Sequence, residues 1–202
     1  MNLAKNIKQK YTYKDYTTWP ENERWELIQG IPFNMSPAPS RIHQKILGAL
    51  HLMFASYLQD KTCEVYLAPF DVRLPDKNEA ADDEITNVVQ PDLLVVCDTN
   101  KLDDRGCKGA PDLIIEITSK STAKKDMWDK MLLYEKSKVK EYWIVHPLDQ
   151  TIMVYTLNEE QKYEKPQVFD ITDDIKVGIL EELTVDVSKI FGVHKPDKQE
   201  IK

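Results

Sequence analysis

APDLIIEITSKSTAKKDMWDKMLLYEKSKVKEYWIVHP (110–147) is the stretch whose reading decides the fold. It opens with a near-continuous apolar run, PDLIIEIT (111–118), of the kind found in central strands buried on both faces, and closes with a second, EYWIVH (141–146). Between them, the segment at about 122–136 places Met127, Met131 and Tyr134 on one helical stripe. Just upstream, VVQPDLLVVC (88–97) supplies another mid-sheet strand. Further out, YTYKDYTTWP (11–20) predicts a short helix ended by Pro20, and RWELIQGIPFNM (24–35) a hairpin turning at Gln29-Gly30. Pro37 and Pro39 punctuate the loop before Ser40. That serine is the expected N-cap of a helix with an apolar stripe at Ile42, Ile46, Ala49, Leu50, Met53, Phe54 and Leu58. EVYLAPFDVRL (64–74) is β-rich, and TIMVYTL (151–157) follows the 141–146 strand through a turn at 147–150. QKYEKPQVFD (161–170) reads as edge strand and Val187–Phe191 as a short closing helix, so the order is mixed α/β.

At 202 residues the chain can bury a core as one domain, and no Gly/Ser- or Pro-rich stretch divides it. We read one unit, residues 1–202, with its core at about 11–190 and a loose tail, HKPDKQEIK, from His194. The acidic DKNEAADDE (76–84) reads as a solvated loop. MNLAKNIKQK lacks the apolar centre of a signal peptide, and no apolar run approaches the ~20 residues needed to cross a bilayer. The expectation is a cytoplasmic protein with no membrane partner. Cys63, Cys97 and Cys107 are odd in number and form no CxxC pair, which points to reduced side chains. A net charge of −7 excludes a protein coated in positive charge. Residues 101–140 nevertheless hold ten Lys/Arg against seven Asp/Glu, so this stretch is +3 and the remainder −10. No P-loop, dinucleotide-binding glycine pattern or Gly-x-Ser-x-Gly elbow is present.

Carboxylates inside apolar strands point to chemistry, because an ionised carboxylate removed from water costs several kcal/mol unless a cation or hydrogen bonds compensate it. Alternation puts Asp112, Ile114 and Glu116 on one face and Leu113, Ile115 and Ile117 on the other, so Glu116 stands on a core-like surface. If the strand starting at Pro91 lies beside it, Asp92 reaches the same point. Two carboxylates there would bind Mg²⁺ or Mn²⁺ through oxygen and leave positions for water and a phosphate. Lys130 on the following helix can then position the attacking water or offset developing negative charge. Other readings stand beside these. Pro-Asp pairs start turns, so Asp112 and Asp92 are also read as caps of their strands. Lys130, four residues after Asp126, equally makes an exposed helix salt bridge. Lys120, Lys124 and Lys125 surround the helix start and suit either a nucleic-acid phosphate backbone or a solvated face. His43 lies in the first turn of the long helix, where we read capping or packing.

The chain resembles the Uma-two family of putative restriction endonucleases, a branch of the PD-(D/E)XK nuclease superfamily, over roughly residues 11–190. WELIQG followed by MSPAPSRIHQKI resembles the family's Glu-Leu-Ile-Asp-Gly, Met-Ser-Pro and Ser-x-x-His blocks. PFDVRL, QPDLLVV, GAPDLIIEITSKSTAKKD and YEKSKVKEYWIVHP resemble its later blocks in the same order. The resemblance implies a restriction-endonuclease-like α/β core, a central mixed β-sheet flanked by α-helices. It makes Asp92 the superfamily aspartate and Glu116 its acidic partner, both as metal ligands and catalytic residues. Thr118 departs from the motif, which would place a lysine there, and the family's helical Asp-x-x-x-Lys-x-x-x-Tyr block, here Asp126, Lys130 and Tyr134, offers Lys130 in its place. Glu26 in WELIQG is a further acidic site member, and Gln29 replaces the block's usual Asp. The expected activity is Mg²⁺- or Mn²⁺-dependent hydrolysis of DNA phosphodiester bonds, with a homodimer suited to cutting both strands. Its rivals are a catalytically inactive nuclease-fold module that binds nucleic acid or a protein partner, and a structural dimer joined by exposed Tyr and Trp near the C-terminal strands.

Overall fold

The structure is a computed structural model and describes residues 10–20, 22–35, 38–79, 81–119 and 125–195. Its main sheet has six strands in the spatial order Gln167–Phe169, Thr151–Thr156, Glu141–His146, Leu113–Ile117, Leu93–Val96 and Glu64–Leu67. The Leu113–Ile117 and Glu141–His146 strands run parallel and every other pairing is antiparallel. All five residues of Leu113–Ile117 are buried, as their apolar run requires of a strand covered on both faces.

The two faces sort the side chains by parity. Leu113, Ile115, Ile117, Trp143 and Val145 pack against the Arg41–Leu58 helix and the Val187–Phe191 helix. Ile114, Tyr142, Ile144, Leu94 and Val96 pack on the opposite side against Leu133 and Tyr134 of the Met131–Ser137 helix, and against Val72, Leu74 and Val89. Ser40 caps the long helix by accepting from the His43 N–H, as its sequence position predicts. The buried stripe is Ile46, Leu47, Leu50, Phe54 and Leu58, while Ile42 is 37% exposed and lines the cleft described below.

Where one central sheet was expected, there are two sheets in contact and a separate two-stranded hairpin. The second six-stranded sheet contains the Trp25–Ile28 and Ile31–Asn34 hairpin, whose turn at Gln29 and Gly30 has φ of 54° and 77°. Both values lie in the left-handed region, which is why Gly suits the turn. EVYLAPFDVRL is therefore not one strand: Glu64–Leu67 belongs to the main sheet and Val72–Arg73 to the second. VVQPDLLVVC divides in the same way, Val88–Val89 in the second sheet and Leu93–Val96 in the main one. The chain thus crosses between sheets at Gln90, Pro91 and Asp92.

Three other expectations change. Cys63 and Cys97 are disulfide-bonded with Cα atoms 3.9 Å apart, because each lies one position beyond the Glu64–Val96 pair of adjacent antiparallel strands. Cys107 is free and buried. Asp82, in the acidic loop, pairs with the buried Arg73 at 3.0 Å and with Lys108, so part of that loop is fastened to the second sheet. Tyr142 and Trp143 are fully buried, which withdraws them from any exposed aromatic interface. No helix among the described residues is long and apolar enough to cross a membrane. In the tail, Lys195 pairs with Asp174 at 2.8 Å, and residues 196–202 lie outside the described residues, as do Pro37 and Ala80.

Candidate active site

The crossing at Gln90–Asp92 opens onto a cleft of about 1080 Å³ whose lining includes Glu26, Asp92, Glu116, Lys130, His43 and His146. Asp92 lies one residue before the Leu93–Ile115 pair of two antiparallel strands, so it stands opposite Glu116 across the sheet. Its Oδ2 accepts the Ile117 N–H at 2.7 Å and a hydrogen bond from His43 Nε2 at 3.1 Å. Both bonds reach residues distant in sequence, so Asp92 does not cap its own strand entry; it is held at the cleft with Oδ1 unengaged among the described residues. Asp112 ties neighbouring segments together instead of capping its own turn: its oxygens accept from the Cys97 N–H at 2.8 Å and from Lys140 Nζ at 2.7 Å.

Glu116 and Glu26 share one lysine. Lys130 Nζ lies 2.8 Å from Glu116 Oε1 and 2.7 Å from Glu26 Oε1, and all three side chains are at most 5% exposed. Tyr134 Oη also donates to Glu116 Oε1 at 2.8 Å, leaving Oε2 without a partner among the described residues. The Gln90 N–H fixes Glu26 from the crossing segment at 3.1 Å. The structure therefore brings Glu26, Glu116 and Lys130 into direct contact and sets Asp92 on the neighbouring strand. The Asp126–Lys130 pair is buried with its charges 3.9 Å apart, unlike the exposed helix pair that spacing allowed. Residues Lys125–Lys130 form a π-helical turn that runs into the Met131–Ser137 helix, a wider winding often seen at functional sites. The earlier part of the helix read at about 122–136 lies outside the described residues.

Of the three lysines read as phosphate contacts, Lys120 and Lys124 lie outside the described residues. Lys125 turns onto the buried Glu26, with Nζ 2.5 Å from Oε2, so its charge is balanced inside the site. The contributions of Gln90 and of the Tyr134 hydroxyl had no signal in periodicity. That of His43 showed only as part of the Ser-x-x-His block.

The two glutamates differ because their surroundings do. Burial works to raise the Glu26 pKa, but Lys130 and Lys125 outweigh it and hold the carboxyl at about 2. Burial raises the Glu116 carboxyl to about 8, since it outweighs the opposing Lys130 and is reinforced by Asp126, Asp92 and Glu26. A folded-state pKa above the unfolded value of 4.5 makes this group's contribution to stability largest below that value and lost as pH rises towards 8. Glu26 acts in the opposite sense, its contribution fading only below its ordinary range. Urea midpoints measured between these limits should show the wild type losing stability relative to Glu116→Gln as pH rises, whereas parallel curves would contradict the assignment.

Among the described residues no three His, Cys, Asp or Glu side chains are grouped to hold a metal ion. Asp92 and Glu116 both line the cleft, and Asp92 Oδ1 and Glu116 Oε2 carry no hydrogen bond among the described residues. Two hard oxygens fit Mg²⁺ or Mn²⁺, which bind through one or two carboxylates and retain water.

A family model described as Uma2, "Putative restriction endonuclease", matches residues 13–188. The chain belongs to the Uma2 family. A solved structure described as a putative nuclease belonging to DUF820 from Anabaena variabilis ATCC 29413 is similar with a TM-score of 0.71 and 20% identity. The similarity covers 90% of this chain and 97% of that one, and it shows the shared nuclease-like α/β fold. No curated protein matches the chain.

Proposed function

We propose that this Uma2 protein is a divalent-metal-dependent endodeoxyribonuclease that hydrolyses phosphodiester bonds. The observation that carries the reading is the pairing of Asp92 and Glu116 on adjacent strands at the cleft, each fixed through one carboxylate oxygen and presenting the other. Asp92 and Glu116 would hold Mg²⁺ or Mn²⁺, which supplies polarisation of the phosphoryl oxygen and acidifies the attacking water. His43 and the Ile117 N–H orient Asp92, while Lys130 and Tyr134 orient Glu116. Lys130 also offsets negative charge developing on the phosphoryl group, and Glu26 keeps its ammonium in place. DNA is the expected substrate, and two copies related by a twofold axis would address both strands of a duplex.

Thr118 at the motif-lysine position favours the second reading, a noncatalytic module. Calorimetry with Mg²⁺ and Mn²⁺ on the wild type and on Asp92→Ala/Glu116→Ala, with plasmid nicking followed in the same samples, separates the two. Wild-type binding and nicking should both vanish in the double variant. Binding without nicking by the wild type would favour the module, and absence of binding would remove the metal from the reading.

A further inference from the structure

Lys130 is committed to two carboxylates in this site. Its amine donates to the carboxylates of Glu26 and Glu116 at 2.7 and 2.8 Å, so its hydrogen bonds are turned onto the two acids. Two histidines, His43 and His146, also line the cleft. His43 donates through Nε2 to Asp92 and so orients that carboxylate, while its Nδ1, like His146 Nε2, has no hydrogen-bond partner among the described residues.

His146 ends the strand beside Glu116 and shares the parity of Tyr142 and Ile144, which pack on the Glu116 face. Its Nδ1 lies 3.3 Å from Thr118 Oγ1, and that hydroxyl donates to the Val145 carbonyl at 3.1 Å. With the single hydroxyl proton directed to the Val145 carbonyl, Thr118 Oγ1 accepts from Nδ1–H, the arrangement that leaves a lone pair on Nε2. Nε2 is buried and meets no hydrogen-bond donor among the described residues, while the ring lines the cleft. Thr118 thus replaces the motif lysine with a residue that sets an imidazole.

We propose that His146 is a catalytic residue, the general base that accepts a proton from the attacking water through Nε2; this rests on the nuclease reading above. The water oxygen bonds to phosphorus as the bond from phosphorus to the leaving oxygen breaks. The water proton passes to Nε2 and then to solvent, and the leaving oxygen is protonated from solvent. Burial keeps the ring neutral near pH 7 by lowering its pKa, and the facing charges, Asp149 and Asp126, favour the imidazolium formed during the step.

The test uses the full chain with supercoiled plasmid and MgCl₂ or MnCl₂. Ring ¹⁵N NMR of the wild type should report the Nδ1–H tautomer of His146, a readout independent of turnover. His146→Asn should melt like the wild type, bind Mg²⁺ as tightly by calorimetry, and nick about 10²–10⁴-fold more slowly, the usual range for a lost general base. Added imidazole should restore part of the rate in His146→Ala. Undiminished nicking by His146→Asn, loss of its Mg²⁺ binding together with nicking, or an Nε2–H tautomer would each overturn the inference. A wild type that neither binds Mg²⁺ nor nicks fails at an earlier point, and both the nuclease reading and this inference then fall.

Discussion

Lys130→Met should destabilise the fold by about 3–5 kcal/mol, the cost of removing one partner from a buried ion pair and leaving its counter-charge uncompensated. The ammonium sits between Glu26 and Glu116 at 2.7 and 2.8 Å, so both acids lose a donor. Lys125 still pairs with Glu26 Oε2, but Glu116 would be left with Tyr134 as its hydrogen-bond donor among the described residues. Methionine fills the volume of the lysine stem, so the loss reports charge rather than a cavity. In a domain whose total stability is of order 5–15 kcal/mol, the variant should show a markedly lower urea midpoint. Adding Glu26→Gln and Glu116→Gln to the same chain should recover much of it, because neither buried side chain then calls for a cation. An unchanged midpoint in Lys130→Met would contradict the buried network.

Glu116→Gln should reduce Mg²⁺-dependent nicking by at least about 10²-fold, the scale of losing a major electrostatic contributor to the transition state. The same variant should fold at least as stably near pH 8. Its amide oxygen can accept from Tyr134 and Lys130, and the substitution removes a carboxyl that burial already disfavours as an anion. That separation is the useful feature of the experiment: activity lost with stability retained marks a functional carboxylate. Full activity in Glu116→Gln would remove Glu116 from the chemistry.

Much of the architecture was legible in local pattern. The Gln29-Gly30 turn, the Ser40 cap, the buried strands at 113–117 and 141–146 and the Val187–Phe191 helix each follow from short-range chemistry that the chain expresses wherever it folds. The alternation around Glu116 likewise assigned it to the face of Ile114, and a carboxylate in LIIEI had to find compensation. Periodicity could not show that two apolar runs each divide between sheets. A strand pattern describes which face a residue takes and carries no information about which sheet continues beyond a proline.

What the sequence by itself determined is the main helices and central strands, the family, and Glu116 as an acid requiring a partner, while the strands at 102–103, 106–108, 174–176 and 184–186 carried no such signal. Tertiary structure alone decided who that partner is and how its charge is shared: Lys130 lies 14 residues away and Glu26 90 residues before Glu116, yet one ammonium serves both. It also turned Lys125 inward, set Cys63 opposite Cys97, and placed His146 beside Thr118. The physical reason is common to all of these. Propensity and periodicity act over one or two turns or a few strand residues, whereas Coulomb attraction, hydrogen bonding and disulfide formation depend on distance in space, which sheet pairing establishes.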